Sequence, residues 1–526
     1  MWDVTNQRFA RTIAQTGIAV GIAVGIAVGT VWSGVVMAAG DTITYARPQD
    51  SEGLDAHKVT TTISFQVMQQ IYSTLLTLDD KGKVHPGVAE SYSVSDDGLT
   101  YRFTIRDGVM CHDGTKMDAA AVKWNLDRVQ SPDIASPFAS SYGNVAGTTV
   151  EGRDVVYQLN EPFSPLPNIF GGVLAIMMCP SSVQGDDFTP VGSGPYKFVS
   201  WERNNKIVLE AFDEYVNVHP LVKNPGAPYV KNLIIKVIPE GVARMAALKT
   251  GEVDFAEPSL PDAADLDADP NYKVYTAPLS GQQGYTGVTY RIPPFDDVRA
   301  RRAVGYAIDR NACADYGFQG LSKATHCPIA PGLPGEDQEL CKQWGTSYDP
   351  DKARSLLAEL GYGPDNPLKV AFETAQLQGW DECATIMQQQ FKESYIDADL
   401  RINEWAAWTE AAVEANSRTS GLPMIWNVGM SGTDGDYLVF LWGMPGAQGA
   451  GIDVPEFQQM LVDQRALTGE ARIAKLHEVQ KFLLEGGYEI PLFSPGWFWL
   501  SASKATVEGF FQVQVAMPVF NDVTFN

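Results

Sequence analysis

From Ile13 to Val36 the chain carries no charged side chain, and Arg8 and Arg11 stand just ahead of that run with a single acid, Asp3. A GIAV unit recurs from Gly17 to Gly29, and the run leads into Val36-Met37-Ala38, with Val36 and Ala38 at the −3 and −1 positions of a cleavage site. A positive start, an apolar middle and a small-residue exit read as a Sec-type secretory signal over residues 1–38, with the mature chain exported to the periplasm. The competing reading is a retained anchor, because 24 uncharged residues are long enough to span a bilayer. Five glycines between Gly17 and Gly34 weaken such a helix, and no basic cluster follows to stop transfer. The first Cys is Cys111, far from the exit, so a lipoprotein is not expected.

Export constrains what the remaining chain can build. In an oxidising compartment its six cysteines can form up to three disulfides, in 15 pairings. Cys327 and Cys341 are a candidate pair, closing a short loop with three prolines and two glycines, where a bridge contributes ~3 kcal/mol on the loop-entropy model. No C-x-x-C spacing occurs, and the six histidines (His57, His85, His112, His219, His326 and His477) lack chelating spacing, so neither a metal nor a cofactor is expected. The 39 Lys and Arg against 63 Asp and Glu give a net charge of −24, which repels polyanions and disfavours nucleic acid as a partner.

The pattern of elements is mixed α/β. Thr42–Arg47 reads as an opening strand and Ile63–Leu76 as a helix, with Phe65, Met68, Ile71 and Leu75 at three- and four-residue spacing. Leu99–Ile105 alternates Tyr101, Phe103 and Ile105 against Thr100, Arg102 and Thr104, a half-buried strand. Ala119–Val129, Gly241–Leu248, Trp380–Glu393 and Pro455–Leu467 read as helices, and Tyr196–Trp201, Lys206–Phe212 and Leu233–Ile238 as strands. Asp349–Leu360 has Asp349 as N-cap, Pro350 in the first turn and Gly361 just past the end, the asymmetry that capping favours.

A series of blocks then stands in a familiar order. They are Ile71-Tyr72-Ser73-Thr74-Leu75-Leu76, Gly87–Tyr92 with Asp96-Asp97-Gly98, the stretch from Tyr101 to Arg128 that contains Cys111-His112-Asp113-Gly114, and Gly192-Ser193-Gly194-Pro195-Tyr196. Leu248–Asp254, Pro294–Arg299, Ala307-Ile308-Asp309-Arg310, Tyr348-Asp349-Pro350 and Ile490-Pro491-Leu492-Phe493 follow. From about Gly53 onward the chain thus resembles the extracytoplasmic solute-binding proteins of ABC importers, of the dipeptide/oligopeptide/nickel-binding type (family 5, cluster C). Ser73, Cys111 and Tyr290 depart from the residues usual at their places.

The resemblance implies a two-lobed, type II-like clamshell with an extra inserted subdomain. The expected division is lobe I from 39–72, the insert from 73–186, lobe I again over 187–287, lobe II over 288–489 and a return to lobe I over 490–526. Hinge crossings are expected near Gly281–Tyr290 and Glu489–Trp497. It further implies a small-molecule solute held between the lobes, an ABC permease as partner, and a monomer.

In peptide-binding members an acid in the segment corresponding to Met424–Trp442 holds the ligand amine. Aligning Gly435-Asp436 with the family's Gly-Asp puts Thr433 at that place, with Asp434 one residue away. A hydroxyl there forgoes a charge-assisted bond worth ~1.5–3 kcal/mol, which tilts the reading from free-amino peptides towards a sugar, glycoside or opine-like conjugate, with oligopeptides still open. Trp426, Trp497, Asn427 and Tyr437 complete the candidate ligand contacts beside Thr433 and Asp434, since aromatic faces stack on sugar rings and amides and hydroxyls serve their hydroxyls. No catalytic residue is expected. The alternative, a secreted carbohydrate-active hydrolase, needs paired carboxylates ~5–10 Å apart across a cleft, and no G-x-S-x-G or H-E-x-x-H motif occurs.

Overall fold

Segments that alternate, or stay apolar, over six to eight residues become the strands of three main sheets. The computed structural model describes residues 40–275, 281–443, 451–495, 500–503, 507–513 and 517–525. The signal-like segment 1–38 and Trp497 lie outside the described residues.

The first sheet has seven strands in the order Tyr196–Glu202, Lys206–Ala211, Asn232–Val237, Thr42–Arg47, Phe255–Ala256, Leu500–Ser503 and Tyr272–Tyr275. Thr42–Arg47 runs parallel to both of its neighbours. Its core takes in Ile43, Tyr45, Leu209 and Leu233, together with Phe510, Phe520 and Val523, so the chain's end returns to this lobe. The second sheet has six strands in the order Ser322–Ala324, Glu489–Pro495, Gln282–Val288, Met424–Ser431, Leu368–Ala375 and Ile396–Asn403. Both of its faces are covered. Phe372, Ile425, Ile490 and Leu492 pack against Met387 and Phe391 of the helix Trp380–Glu393 on one side. Tyr285, Trp426 and Val428 pack with Trp442 and Leu476 on the other. A four-stranded antiparallel sheet of residues 89–159, with the helix Ala119–Gln130, forms the insert around Tyr101, Phe103, Val122 and Leu126. No helix among the described residues is long and apolar enough to cross a membrane.

Most sequence-derived elements recur within a residue or two. Asp349 accepts the Lys352 N–H at 2.8 Å and caps the helix Pro350–Glu359, which an N-cap stabilises by ~1 kcal/mol. Two expectations need correction. The helix expected over Ile63–Leu76 stops at Ile71, because Tyr72 turns extended and Ser73–Thr74 pair with Ile176–Met177. Residues 282–287 and 490–495 were expected in lobe I, yet Gln282–Val288 and Glu489–Pro495 are neighbours in the centre of the second sheet. Both runs are buried on both faces, which only an interior strand supplies. Tyr272–Tyr275 and Leu500–Ser503 are strands of the first sheet, whereas Gln282–Val288 and Glu489–Pro495 are strands of the second.

All six cysteines are paired, as Cys111–Cys179, Cys313–Cys383 and Cys327–Cys341, so the candidate bridge is present with two others.

Candidate functional site

Two of the sequence blocks meet at the end of the helix Thr62–Ile71. Gly194 donates its N–H to the Ile71 carbonyl at 2.9 Å, and a Cβ on Gly192 or Gly194 would clash with the Ile71 backbone. Burial pushes His112 down to about 4, so its ring is neutral. Nδ1 accepts the Gly192 N–H at 3.2 Å and Nε2 faces the Gly194 carbonyl at 3.0 Å. The Gly-Ser-Gly-Pro and His-Asp-Gly blocks thus clamp the turn that presents Tyr72, Ser73 and Thr74. Ser73 spends its proton on the Ser193 carbonyl, at 3.0 Å.

That turn forms one wall of a pocket with roughly 870 Å³ of empty space, including its solvent-open part. Gly171 and Gly172 of the insert, Tyr215 and His219, the C-terminal stretch Met517–Asn521, and Thr433 of lobe II complete it. Thr433 reaches across to the insert, where a Cβ added to Gly172 would sit 3.0 Å from its methyl group. Asn168 Nδ2 donates to the Thr433 carbonyl at 3.4 Å. Nearby, the Ser164 N–H donates to the Arg465 carbonyl at 2.8 Å, and the Arg465 guanidinium lies 5.0 Å from the Phe163 ring centre. The insert and lobe II are in contact at this edge.

Of the sequence-derived ligand candidates, Thr433 alone among the described residues lines this pocket. Asp434 is buried beside Arg472, whose Nη1 donates to it at 2.9 Å and whose Nη2 makes a second contact. The Tyr437 hydroxyl donates to the Pro328 carbonyl at 2.6 Å and accepts the Ala330 N–H at 2.7 Å. Trp426 is fully buried against Gly287, where any larger side chain would strike the indole. Asn427 faces the opposite side of the sheet, its amide nitrogen 3.8 Å from Met387 Sδ. Trp426 and Asn427 are interior because the strand Met424–Ser431 is flanked by strands on both edges and packed on both faces, whereas Asp434 and Tyr437, beyond its end, are buried by Arg472 and by the Pro328–Ala330 segment. Of the other tryptophans, Trp380 packs on Phe493 and Trp442 donates to Glu489 at 2.5 Å.

Sequence reasoning did not find Gly172, His219 or Asn521, which come from segments far apart in the chain and carry no shared spacing. Among the described residues no group of three or more His, Cys, Asp or Glu is placed to hold a metal.

A family model, "Bacterial extracellular solute-binding proteins, family 5 Middle", matches residues 83–451. The chain is 33% identical over 409 residues to the glutathione-binding protein GsiB of Salmonella paratyphi A, covering 76% of this chain and 75% of that one. It is similar in structure to the ABC transporter substrate-binding protein CtaP of Listeria monocytogenes, with TM-score 0.80, 19% identity, and coverage of 92% and 99% of the two chains. The protein AgaA of A. tumefaciens R10, solved with agropinic acid, matches with TM-score 0.73, 22% identity, and coverage of 92% and 99%. DppA of Helicobacter pylori, solved with the peptide STSA, matches with TM-score 0.74, 21% identity, and coverage of 92% and 98%. These structural likenesses show a two-lobed periplasmic-binding-protein fold. The chain belongs to family 5 of the bacterial extracellular solute-binding proteins.

Proposed function

We propose that this protein captures a peptide-sized solute between its lobes in the periplasm and hands it, unchanged, to the permease of an ABC importer. In this reading it acts as a monomer, after removal of residues 1–38. The observation that carries it is the pocket whose wall is shared by Ser73 and Thr74 of the turn after the helix Thr62–Ile71, Gly172 of the insert and Thr433 of lobe II. A solute touching all three favours the closed arrangement by differential contact, which is what a permease would read. The division into lobes is proposed as before, with the crossings moved to 275–282 and 495–500. Among relatives, GsiB is named for glutathione, AgaA was solved with agropinic acid and DppA with a peptide. Oligopeptides and opine-like or sugar conjugates are therefore the solute classes to test.

Native mass spectrometry of protein purified without refolding should show a bound mass that denaturation releases. Added solute should be recovered chemically unchanged, and its conversion to product would overturn the proposal. Thr433→Asp should improve affinity for peptides with a free amine by about tenfold, a gain of ~1.4 kcal/mol. No gain would remove Thr433 from the solute's amine end.

A further inference from the structure

Charged residues make up 19% of this chain, yet among the described residues lining the pocket there is no Asp, Glu, Lys or Arg. The one titratable base there, His219, is half-buried, and its partial desolvation pushes it down to about 4, so it too is neutral near pH 7. Its Nδ1 accepts the Leu221 N–H at 3.2 Å, which leaves the proton on Nε2. Other polar groups of the wall are engaged inside the protein. Gln70 donates to the Pro518 carbonyl at 2.8 Å, and the Thr77 hydroxyl donates to the Pro86 carbonyl at 3.1 Å.

Two amide side chains of the wall stand out. Gln69 Oε1 is buried without a hydrogen-bond partner. The Asn521 side chain, on a residue only 3% exposed, lies beside the Tyr215 hydroxyl. An unpaired buried amide costs free energy until a ligand group satisfies it, whereas an ion entering a cavity without a countercharge costs far more. Val222, Val519 and Met517 supply apolar wall between these atoms.

We infer that this pocket takes an uncharged, partly apolar end of the solute, bearing amide or hydroxyl groups, and rejects a free ammonium or carboxylate. The inference rests on the proposed solute-binding role and specifies the chemistry of one end of that site. It separates solutes that share a size: a capped peptide or a neutral glycoside fits, while the same length of chain ending in a bare charge does not.

The test is a calorimetric titration of the full mature protein with two sets of compounds. The neutral set holds N-acetyl tripeptide amides of Ala, Ser and Val and neutral disaccharides. The charged set holds the same tripeptides uncapped, glutathione and agropinic acid. The expected result is that a neutral compound binds at least about tenfold more tightly than its charged counterpart. Equal or tighter binding of the charged counterpart overturns the inference and leaves solute binding standing. Binding by neither set overturns the proposed function on which the inference rests. Gln69→Glu, nearly the same shape, should weaken the neutral compound about tenfold or more and strengthen a free-amine one, and its unpaired carboxylate should lower the unfolding temperature of the unliganded protein. Unchanged affinities in that variant would remove Gln69 from the subsite and overturn its assigned role.

Discussion

Thr433 and Asp434 are neighbours in sequence but belong to two regions of opposite electrostatic character. Thr433 faces the pocket, whose described wall carries no charged side chain. Asp434 begins a shelf on lobe II where charge is dense and paired: Asp434 with Arg472, Asp436 with Arg465 and Gln464, and the Asp436 N–H with Asp434 Oδ1 at 2.8 Å. The shelf is further pinned by the Cys327–Cys341 loop, whose Pro328 carbonyl and Ala330 N–H both bond the Tyr437 hydroxyl. The contrast separates two uses of polarity. Paired charges fix the backbone that presents Thr433, and the described wall of the pocket is left free of charge.

The sharpest way to break this contrast is Arg472→Met. It leaves the Asp434 carboxylate buried and unpaired, and a loss of ~3–5 kcal/mol in denaturant unfolding is expected. A loss below ~1 kcal/mol would show that the shelf does not depend on that pair. Replacing Cys327 and Cys341 together with Ala should cost ~3 kcal/mol in the same measurement, with lobe II destabilised first. A double variant as stable as the parent would detach the loop from the shelf's rigidity.

Asp436→Asn should cost less, ~1–2 kcal/mol, because its partner Arg465 keeps a third of its side chain in water. Its effect should shrink in high salt, while that of Arg472→Met should not. The smallest effect is expected at acid pH from Glu489→Gln, where the pH trend is diagnostic. Burial holds Glu489 well above the usual carboxylate range, with the Trp442 N–H opposing that rise. The folded state therefore keeps a proton that the unfolded chain releases. The contribution is fully present below about pH 4.5, the unfolded value, and is lost as pH rises through the folded one. Glu489→Gln removes that fall, so its unfolding temperature should gain on the parent's as pH rises above about 4.5. Parallel curves would mean that Glu489 is ionised in the folded protein.

Much of the fold was legible because it rests on local periodicity. The strand Thr100–Ile105 shows the alternation read for it, and the helix Trp380–Glu393 has the expected bounds. The Gly-Ser-Gly-Pro and His-Asp-Gly blocks were visible as turns, but their mutual contact at Ile71 was not, since about 80 residues separate them. The helix end at Ile71 was misread for a related reason. Leu75 and Leu76 continue the apolar spacing, but they are buried in the insert's core after the chain has turned.

The site was less legible than the fold. Trp426 and Asn427 looked like ligand groups because aromatic and amide side chains serve that role, yet a strand buried on both faces places the same residues in a core. Asp434 looked available because its partner, Arg472, lies 38 positions away.

By itself the sequence determined the α/β class, the even set of cysteines and the ordered blocks that mark the family, all carried by short-range spacing and residue type. Which cysteines pair, which sheet takes Gln282–Val288 and Glu489–Pro495, and which of Thr433 and Asp434 meets the pocket were decided only by tertiary structure. Those outcomes depend on burial and on partners distant in the chain, and the cost of leaving a charge unpaired in a core is what draws Asp434 to Arg472 and leaves Thr433 at the cleft.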